Sequence, residues 1–351
     1  ERRPAFLEKN QKDQETLRAT HAQRGSKPLK TITDARGNAT AIDWNKQTPP
    51  KPEFIGAKTL NAFPLEDLVP YIDWSPFFHA WEMRGRYPAI LDDAIVGSKA
   101  RELFEDAQKQ LKDIVLNRRF TARAIYGFFP AATRGDDIVV YQDADRSKEL
   151  TILHTLRQQI HKPEGQFNHA LADFIAPEDS EKEDYIGMFA VTTGHGADEW
   201  AAEFLKDHDD YSSIMVKALA DRLAEAFAEC LHKRVRSEWG YGKEEQLDSE
   251  ALIREKYQGI RPAPGYPACP DHTEKRLLWD LLDVEKQTGI KLTESCAMWP
   301  AASVSGLYFS NPQSKYFAVG KINKDQIEDY STRKGSTVED TEKWLSPWLN
   351  Y

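Results

Sequence analysis

The sequence predicts an α+β fold built on a largely antiparallel sheet flanked by helices, and three observations lead there. Strand-like segments come in hairpins as well as singly. Long amphipathic segments separate them without the strict strand–helix alternation of a doubly wound parallel sheet. The 351 residues, 40% hydrophobic and 11% aromatic, suffice to bury a sizeable core. That length fits one large domain as readily as two.

In chain order, residues 1–52 differ from the rest. Polar and charged residues dominate Leu7–Lys30, and the turn-forming Arg24-Gly25-Ser26-Lys27-Pro28 interrupts them. Thr48-Pro49-Pro50-Lys51-Pro52 is expected to be extended, because each proline disfavours helix in the residue before it. These residues read as a tether or surface arm, and the globular pattern occupies 53–351. Leu65–Tyr71 is predicted as a short helix leading into the aromatic cluster Tyr71–Trp81. Ser98–Leu116 carries Ala100, Leu103, Phe104, Ala107, Leu111 and Ile114 at helical spacing. Thr121–Phe129 and Asp137–Gln142 read as strands around a turn at Thr133–Asp136, Leu150–Gln159 as strand or helix, and Asp184–Thr193 as a short apolar strand. Tyr211–Arg236 is the longest predicted helix, with Val216, Leu219, Leu223, Phe227 and Leu231 on one face. Ala302–Phe309 and Lys315–Ile322 alternate as strands around a turn at Asn311–Ser314. Helices are expected at Lys324–Lys334 and Thr337–Leu345, the second with Thr337 as N-cap.

Composition narrows the function classes. Charged residues make up 29% of the chain, and no run approaches the roughly 18 apolar residues of a membrane helix. No apolar segment follows Glu1–Pro4, so no signal peptide is expected there. Three widely spaced cysteines, Cys230, Cys269 and Cys296, argue against a disulfide framework or zinc ribbon and suit a cytoplasmic location. A formal net charge of -9 argues against generic nucleic-acid binding. No P-loop, no G-x-S-x-G elbow and no paired histidine motif occurs, so hydrolase, NTPase and metal readings have no motif behind them. Gly194-His195-Gly196 lacks the third glycine of a dinucleotide loop and reads as a strand-to-helix turn. His208-Asp209-Asp210 reads as acids capping the long helix.

Two clusters carry candidate chemistry. Arg261–Pro270 holds four prolines in ten residues, a stiff and extended loop that presents backbone groups at fixed positions. In it Gly265 allows close approach of a ligand, Tyr266 offers a stacking face and Arg261 can clamp a carboxylate. A rigid crossover between two elements explains the prolines equally well. In Tyr71–Trp81 the acid Asp73 stands among aromatics, tied to a backbone donor or poised for a ligand.

Together these clusters resemble a known family. Y-I-D-W-S-P-F-F at 71–78, G-I-R-P-A-P-G-Y-P-A-C-P at 259–270 and T-E-S-C-A-M-W-P-A-A-S-V-S-G-L-Y-F at 293–309 are similar to the reactivation domain of vitamin B12-dependent methionine synthase. So are the tracts at 209–211 and 218–229. The similarity runs from about Lys51 to Tyr351, and the first 52 residues resemble the linker from the preceding cobalamin-binding domain.

The resemblance implies a single C-shaped α+β domain around a twisted, mostly antiparallel sheet. It implies binding of S-adenosylmethionine, whose methyl group is presented to cob(I)alamin when the oxidised enzyme is reductively reactivated. Carried over, the ligand contacts fall on Asp73, Arg261, Ala263, Gly265, Tyr266, Tyr316 and Phe317, with Glu225 and Glu255 near the ligand. No catalytic residue and no metal ligand is implied. The implied partners are the cobalamin-binding domain of the same enzyme and flavodoxin or a related flavoprotein. Flavodoxin is acidic, which makes Arg84 and Arg86 its candidate contact. The competing readings are a docking module that binds no small ligand and a free-standing methyltransferase. The second has neither a cobalamin motif nor a glycine-rich cofactor loop behind it.

Overall fold

Two strands at the centre of the fold carry continuous apolar runs, Ala124–Ala132 and Tyr185–Val191, because they are covered on both faces. In this computed structural model, which describes residues 2–23 and 28–351, the elements begin with α1 (Arg2–Gln23), α2 (Ile32–Arg36), β1 (Gly56–Phe63), α3 (Ser75–Ala80) and α4 (Gly97–Leu116). Four strands follow, β2 (Thr121–Arg134), β3 (Asp137–Tyr141), β4 (Glu149–His154) and β5 (Asp184–His195). Next come α5 (Ala197–Lys206), α6 (Asp210–Trp239), α7 (Ser249–Ile253), α8 (Glu274–Leu282) and α9 (Val284–Thr288). The chain closes with β6 (Lys291–Leu292), β7 (Met298–Trp299), β8 (Ser303–Tyr308), α10 (Lys324–Lys334) and α11 (Val338–Leu345).

The described residues form two compact units. The larger comprises 41–156 and 170–318. Its sheet has the order β4-β3-β2-β5-β8, and every pairing is antiparallel. β1 pairs with Ala122–Phe128 of β2 while β3 pairs with Ala131–Arg134, so these two strands share one edge of the long β2. Alternation of side chains along the strands divides the core. Ala124, Tyr126, Phe128, Phe189 and Val191 face α4, α5 and α6, whereas Ile125, Phe129, Met188, Ala190 and Leu307 face α8 and the Leu171–Ile175 segment.

The helix α6 spans 30 residues and buries Leu219, Leu223, Phe227 and Leu231 against the first of these faces. Asp209 caps it, accepting the Ser212 N–H at 2.9 Å, and Gly240 ends it with φ +96°. At Gly187 a Cβ would come within 3.0 Å of the Trp239 ring, so the bare backbone of β5 lets the helix end pack closely.

The second unit comprises the described part of 1–40 with 157–169 and 319–351. The Arg36 guanidinium grips both oxygens of Asp329 at 3.0 and 2.7 Å. The buried Gln326 side chain accepts the Arg157 N–H at 2.7 Å and donates to the Arg157 carbonyl at 2.9 Å. Thr337 caps α11 by accepting the Asp340 N–H, as its position predicts.

Several elements depart from the sequence expectation. Residues 2–23 form a helix. Residues 24–27 of the expected Arg24–Pro28 turn lie outside the described residues. Leu65–Tyr71 forms two 3₁₀ turns, and Leu150–Gln159 resolves into β4 followed by irregular backbone. The strand expected at Lys315–Ile322 is absent. Tyr316 and Phe317 are adjacent yet both line one cavity, which strand alternation forbids. Among the described residues no helix is long and apolar enough to cross a membrane, and all three cysteines are free.

The fully buried Leu223 offers a test of how α6 is held. Leu223→Ala is expected to lower the unfolding free energy by about 2–5 kcal/mol, read from denaturant midpoints at unchanged slope. A loss below about 1 kcal/mol would show that α6 is not packed as described.

Candidate ligand-binding site

The last strand of the sheet, β8, has an edge that no strand of the sheet covers, and the segment Ile260–Pro262 pairs along it. Ile260 and Phe309 exchange both backbone hydrogen bonds, at 3.2 and 3.1 Å, and the Leu307 N–H donates to the Pro262 carbonyl at 2.8 Å. Pro262 can accept here although it cannot donate. Gly306 makes the approach possible, since a Cβ there would stand 2.8 Å from the Pro262 oxygen.

This pairing fixes where Arg261 points. Ile260 joins the core on the α8 side, and Arg261, one residue on, turns to the α6 side. Its Nη1 donates to the Ala228 carbonyl at 3.0 Å, and its Nη2 forms an ion pair with Glu229 Oε1. Its backbone N–H donates to the Tyr316 hydroxyl at 2.9 Å.

After Pro262 the chain folds into two consecutive tight turns, not the extended loop that the prolines suggest. The Tyr266 N–H donates to the Ala263 carbonyl at 3.2 Å, the Cys269 N–H to the Tyr266 carbonyl at 2.9 Å, and the Gly265 N–H to the Cys269 carbonyl at 2.7 Å. Gly265 sits at φ +94°, and a Cβ there would lie 2.2 Å from Cε1 of His272. The His272 ring therefore rests directly on the glycine. Lys275 Nζ lies 3.3 Å from His272 Nδ1 and donates to the Cys296 carbonyl at 3.0 Å.

These turns wall a cavity of about 850 Å³, within the usual size range of small-molecule sites. Of the sequence-predicted residues, Glu225, Arg261, Ala263, Gly265, Tyr266, Tyr316 and Phe317 line it. Asp73 and Glu255 are not among the lining. Asp73 accepts the Ser75 N–H at 2.9 Å at the start of α3, and Glu255 occupies a left-handed position at φ +53° before the loop. Phe189, His272, Lys275, Ser295–Met298 and Ser303–Ser305 complete the wall.

The cavity is electrostatically mixed. Burial pushes the Glu225 and Glu255 carboxyls above the usual carboxylate range, and Arg261 partly opposes the shift in both. Burial, the largest single influence, would by itself lower the Arg261 pKa, but the Glu229 carboxylate together with the Tyr257 and Tyr308 hydroxyls raises it overall, so the guanidinium stays charged. Burial also depresses the Lys275 amine and the His272 imidazole. At the mouth Tyr266 is 63% exposed, an aromatic face open to a ligand. Such a site can hold a zwitterion, with acids for an ammonium group, a guanidinium for a carboxylate and an aromatic face for a heterocycle.

The sequence matches the family described as vitamin B12 dependent methionine synthase, activation domain, over residues 64–335. The chain belongs to that family. A crystal structure of the MetH reactivation domain bound to AdoHcy superposes with a TM-score of 0.90 at 54% identity, covering 93% of this chain and 100% of the other. As an activation domain the chain is one part of cobalamin-dependent methionine synthase, and the cobalamin-binding domain of that enzyme is its partner. The α+β architecture expected from the hairpins agrees with this match.

Sequence reasoning missed His272, Lys275 and Glu229 in this activation domain. His272 and Lys275 have a faint signal, since they follow the proline loop at helical spacing. Glu229 lies one helical turn beyond Glu225, but nothing in sequence pairs it with an arginine 32 positions away.

Gly265→Ala is expected to cost about 1–3 kcal/mol of unfolding free energy, through the left-handed backbone and the displaced His272 ring. Denaturant titration reads this directly. A change within about 0.5 kcal/mol would mean that the turn relaxes freely and that the glycine is not required.

Proposed function

We infer that this chain binds S-adenosylmethionine and presents its methyl group to cob(I)alamin during reductive reactivation of methionine synthase. The carrying observation is the mixed-charge cavity of about 850 Å³ walled by the Arg261–Pro270 loop, in a chain 54% identical to a reactivation domain bound to AdoHcy. A module that only docks on the cobalamin domain has no use for a cavity with this donor set. We assign residues 53–351 to the reactivation domain and residues 1–52 to the connection from the cobalamin-binding domain.

The cobalamin of the neighbouring domain supplies the nucleophilic metal, so the chain needs no catalytic base of its own. Its residues hold the donor in place. Arg261 meets the ligand carboxylate while its neighbours on α6 keep it oriented, and Glu225 and Glu255 provide negative charge for the ammonium group. Tyr266 stacks against the adenine, the small Ala263 lets the ligand lie close to the loop, and Gly265, whose bare side is filled by His272, contributes backbone to the wall. Tyr316 and Phe317 line the same cavity, the Tyr316 hydroxyl beside the Arg261 backbone, and Asp73, outside the lining, is proposed as a contact made on ligand binding. Fixing the sulfonium methyl toward one opening supplies the positioning that a transfer between domains requires.

Calorimetric titration of S-adenosylmethionine into the chain tests the reading. Wild-type protein is expected to show saturable one-site binding, and Arg261→Ala and Asp73→Asn to weaken it at least about tenfold, or about 1.4 kcal/mol. No binding by folded wild-type protein would leave the docking-module reading in front. A loss in Arg261→Ala alone would confine Asp73 to its hydrogen bond with the Ser75 N–H.

For the electron donor we propose an acidic flavoprotein, flavodoxin or a relative, with Arg84 and Arg86 in the contact. Both side chains are exposed on the turn between α3 and α4. Replacing both with Glu is expected to slow flavodoxin-dependent reduction several-fold at low salt and to flatten its salt dependence. Unchanged rate and salt dependence would remove this pair from the interface.

A further inference from the structure

Three carboxylates surround the one guanidinium of the site. Glu225 and Glu255 both act electrostatically on Arg261, yet Glu229 alone among the described residues forms an ion pair with it. The partners are largely enclosed, with side-chain exposures of 13% for Arg261 and 17% for Glu229. Glu229 does not line the cavity, whereas Glu225, one turn earlier on α6, does.

The form of the ion pair is informative. An arginine serving only to hold a carboxylate does so best through two parallel hydrogen bonds. Here Glu229 uses Oε1 only, and its Oε2 is buried with no hydrogen-bond partner. The second contact from the guanidinium goes to the Ala228 carbonyl, on the same turn of α6. Two of the five guanidinium N–H groups are thereby committed to the helix, and the group keeps others for a ligand. Buried ion pairs are weak evidence for stability, because desolvation offsets most of the attraction. A single-contact pair behind a ligand cavity is better explained as orientation.

We propose that Glu229 is the positioning residue that aims Arg261 at the carboxylate of the bound amino-acid group, a role that rests on the function inferred above. Without the Glu229 charge, Arg261 turns toward Glu225 or Glu255. That turn neutralises an acid needed for the ligand ammonium and withdraws the guanidinium from the carboxylate. Glu229 thus sets selectivity for the carboxylate without touching the ligand.

The test compares binding of S-adenosylmethionine with that of its decarboxylated analogue, which keeps the sulfonium, ammonium and adenosine. Wild-type protein is expected to prefer S-adenosylmethionine, and Glu229→Gln to reduce that preference at least fivefold with a melting temperature close to wild type. In the Arg261→Ala background, Glu229→Gln is expected to cause no further loss, as coupled residues do. An unchanged preference in folded Glu229→Gln, with both ligands weakened equally or neither weakened, would overturn the proposal. So would additive losses in the double variant. If Glu229→Gln does not fold, Glu229→Asp carries the same comparison, because its shorter side chain keeps the charge but draws back from Arg261. Wild-type protein that binds neither ligand would instead refute the inferred function, so the two failures are distinguishable.

Discussion

The site depends on a few backbone hydrogen bonds at the edge of a sheet. β8 would otherwise present a row of unpaired N–H and C=O groups, a costly feature that proteins cover or pair. Ile260 and Pro262 supply partners, and in doing so they fix the register of the loop against the sheet to a single residue. A slip by one position would send Arg261 into the apolar α8 face and Ile260 toward the acids of α6. Gly306 is the condition for this, since any side chain at that position would collide with the Pro262 carbonyl. The prolines then act less by keeping the loop extended than by limiting what it can do after Pro262. Two tight turns close within seven residues, and Gly265 lies under His272.

A charged arginine can sit here because α6 supplies both kinds of acceptor, a main-chain carbonyl at Ala228 and a carboxylate at Glu229. The same helix carries Glu225 into the cavity, so the spacing of 225, 228 and 229 on one helical face determines the charge pattern of the site. Next to it the enclosure continues. His232, fully buried, is held neutral first by burial and then by the nearby Arg261 and Arg236. Its ring stacks on Tyr308 at 4.9 Å between centroids and meets Tyr257 edge-on at 4.6 Å. The rings behind Arg261 are thus aromatic, with the Arg236 guanidinium over the Tyr257 ring at 4.4 Å, and Glu225, Glu229 and Glu255 are the carboxylates that act on Arg261.

Sequence legibility followed the range of the interactions involved. α4 and α6 were readable because their apolar residues recur at helical spacing, and α6 also runs between the capping Asp209 and Gly240. The β2–β3 hairpin was readable from Gly135 and Asp136 between apolar runs. β1 was not, because its exposures alternate irregularly and several of its residues are polar. Lys315–Ile322 misled for the opposite reason, since its apolar residues do not mark one face of a strand: the adjacent Tyr316 and Phe317 both line the cavity, while Val319 and Ile322 are buried. In the site, the proline loop was conspicuous in composition, but its alternatives stayed balanced until the tracts at 71–78 and 293–309 tied it to a family. Pairings across the fold, Arg261 with Glu229 or Lys275 with the Cys296 carbonyl, left no trace in local sequence.

The build of the cavity wall in the larger unit suits the donor-positioning role proposed above. The cavity wall is built from turns held by backbone hydrogen bonds and from a helix packed on the sheet through Leu219, Leu223 and Phe227. Backbone-held walls lose little conformational entropy when a ligand arrives, so more of the binding energy remains for orientation. Among the aromatic side chains of the wall Tyr266 is the most exposed, and it sits within the two tight turns of the loop. An aromatic ring with two rotatable bonds, mounted on such a turn, can cover a heterocycle at little entropic cost. The charged groups that would be hardest to order, Arg261 and Glu229, are already ordered by each other. The site therefore resembles a preformed clamp with an aromatic ring at its entrance.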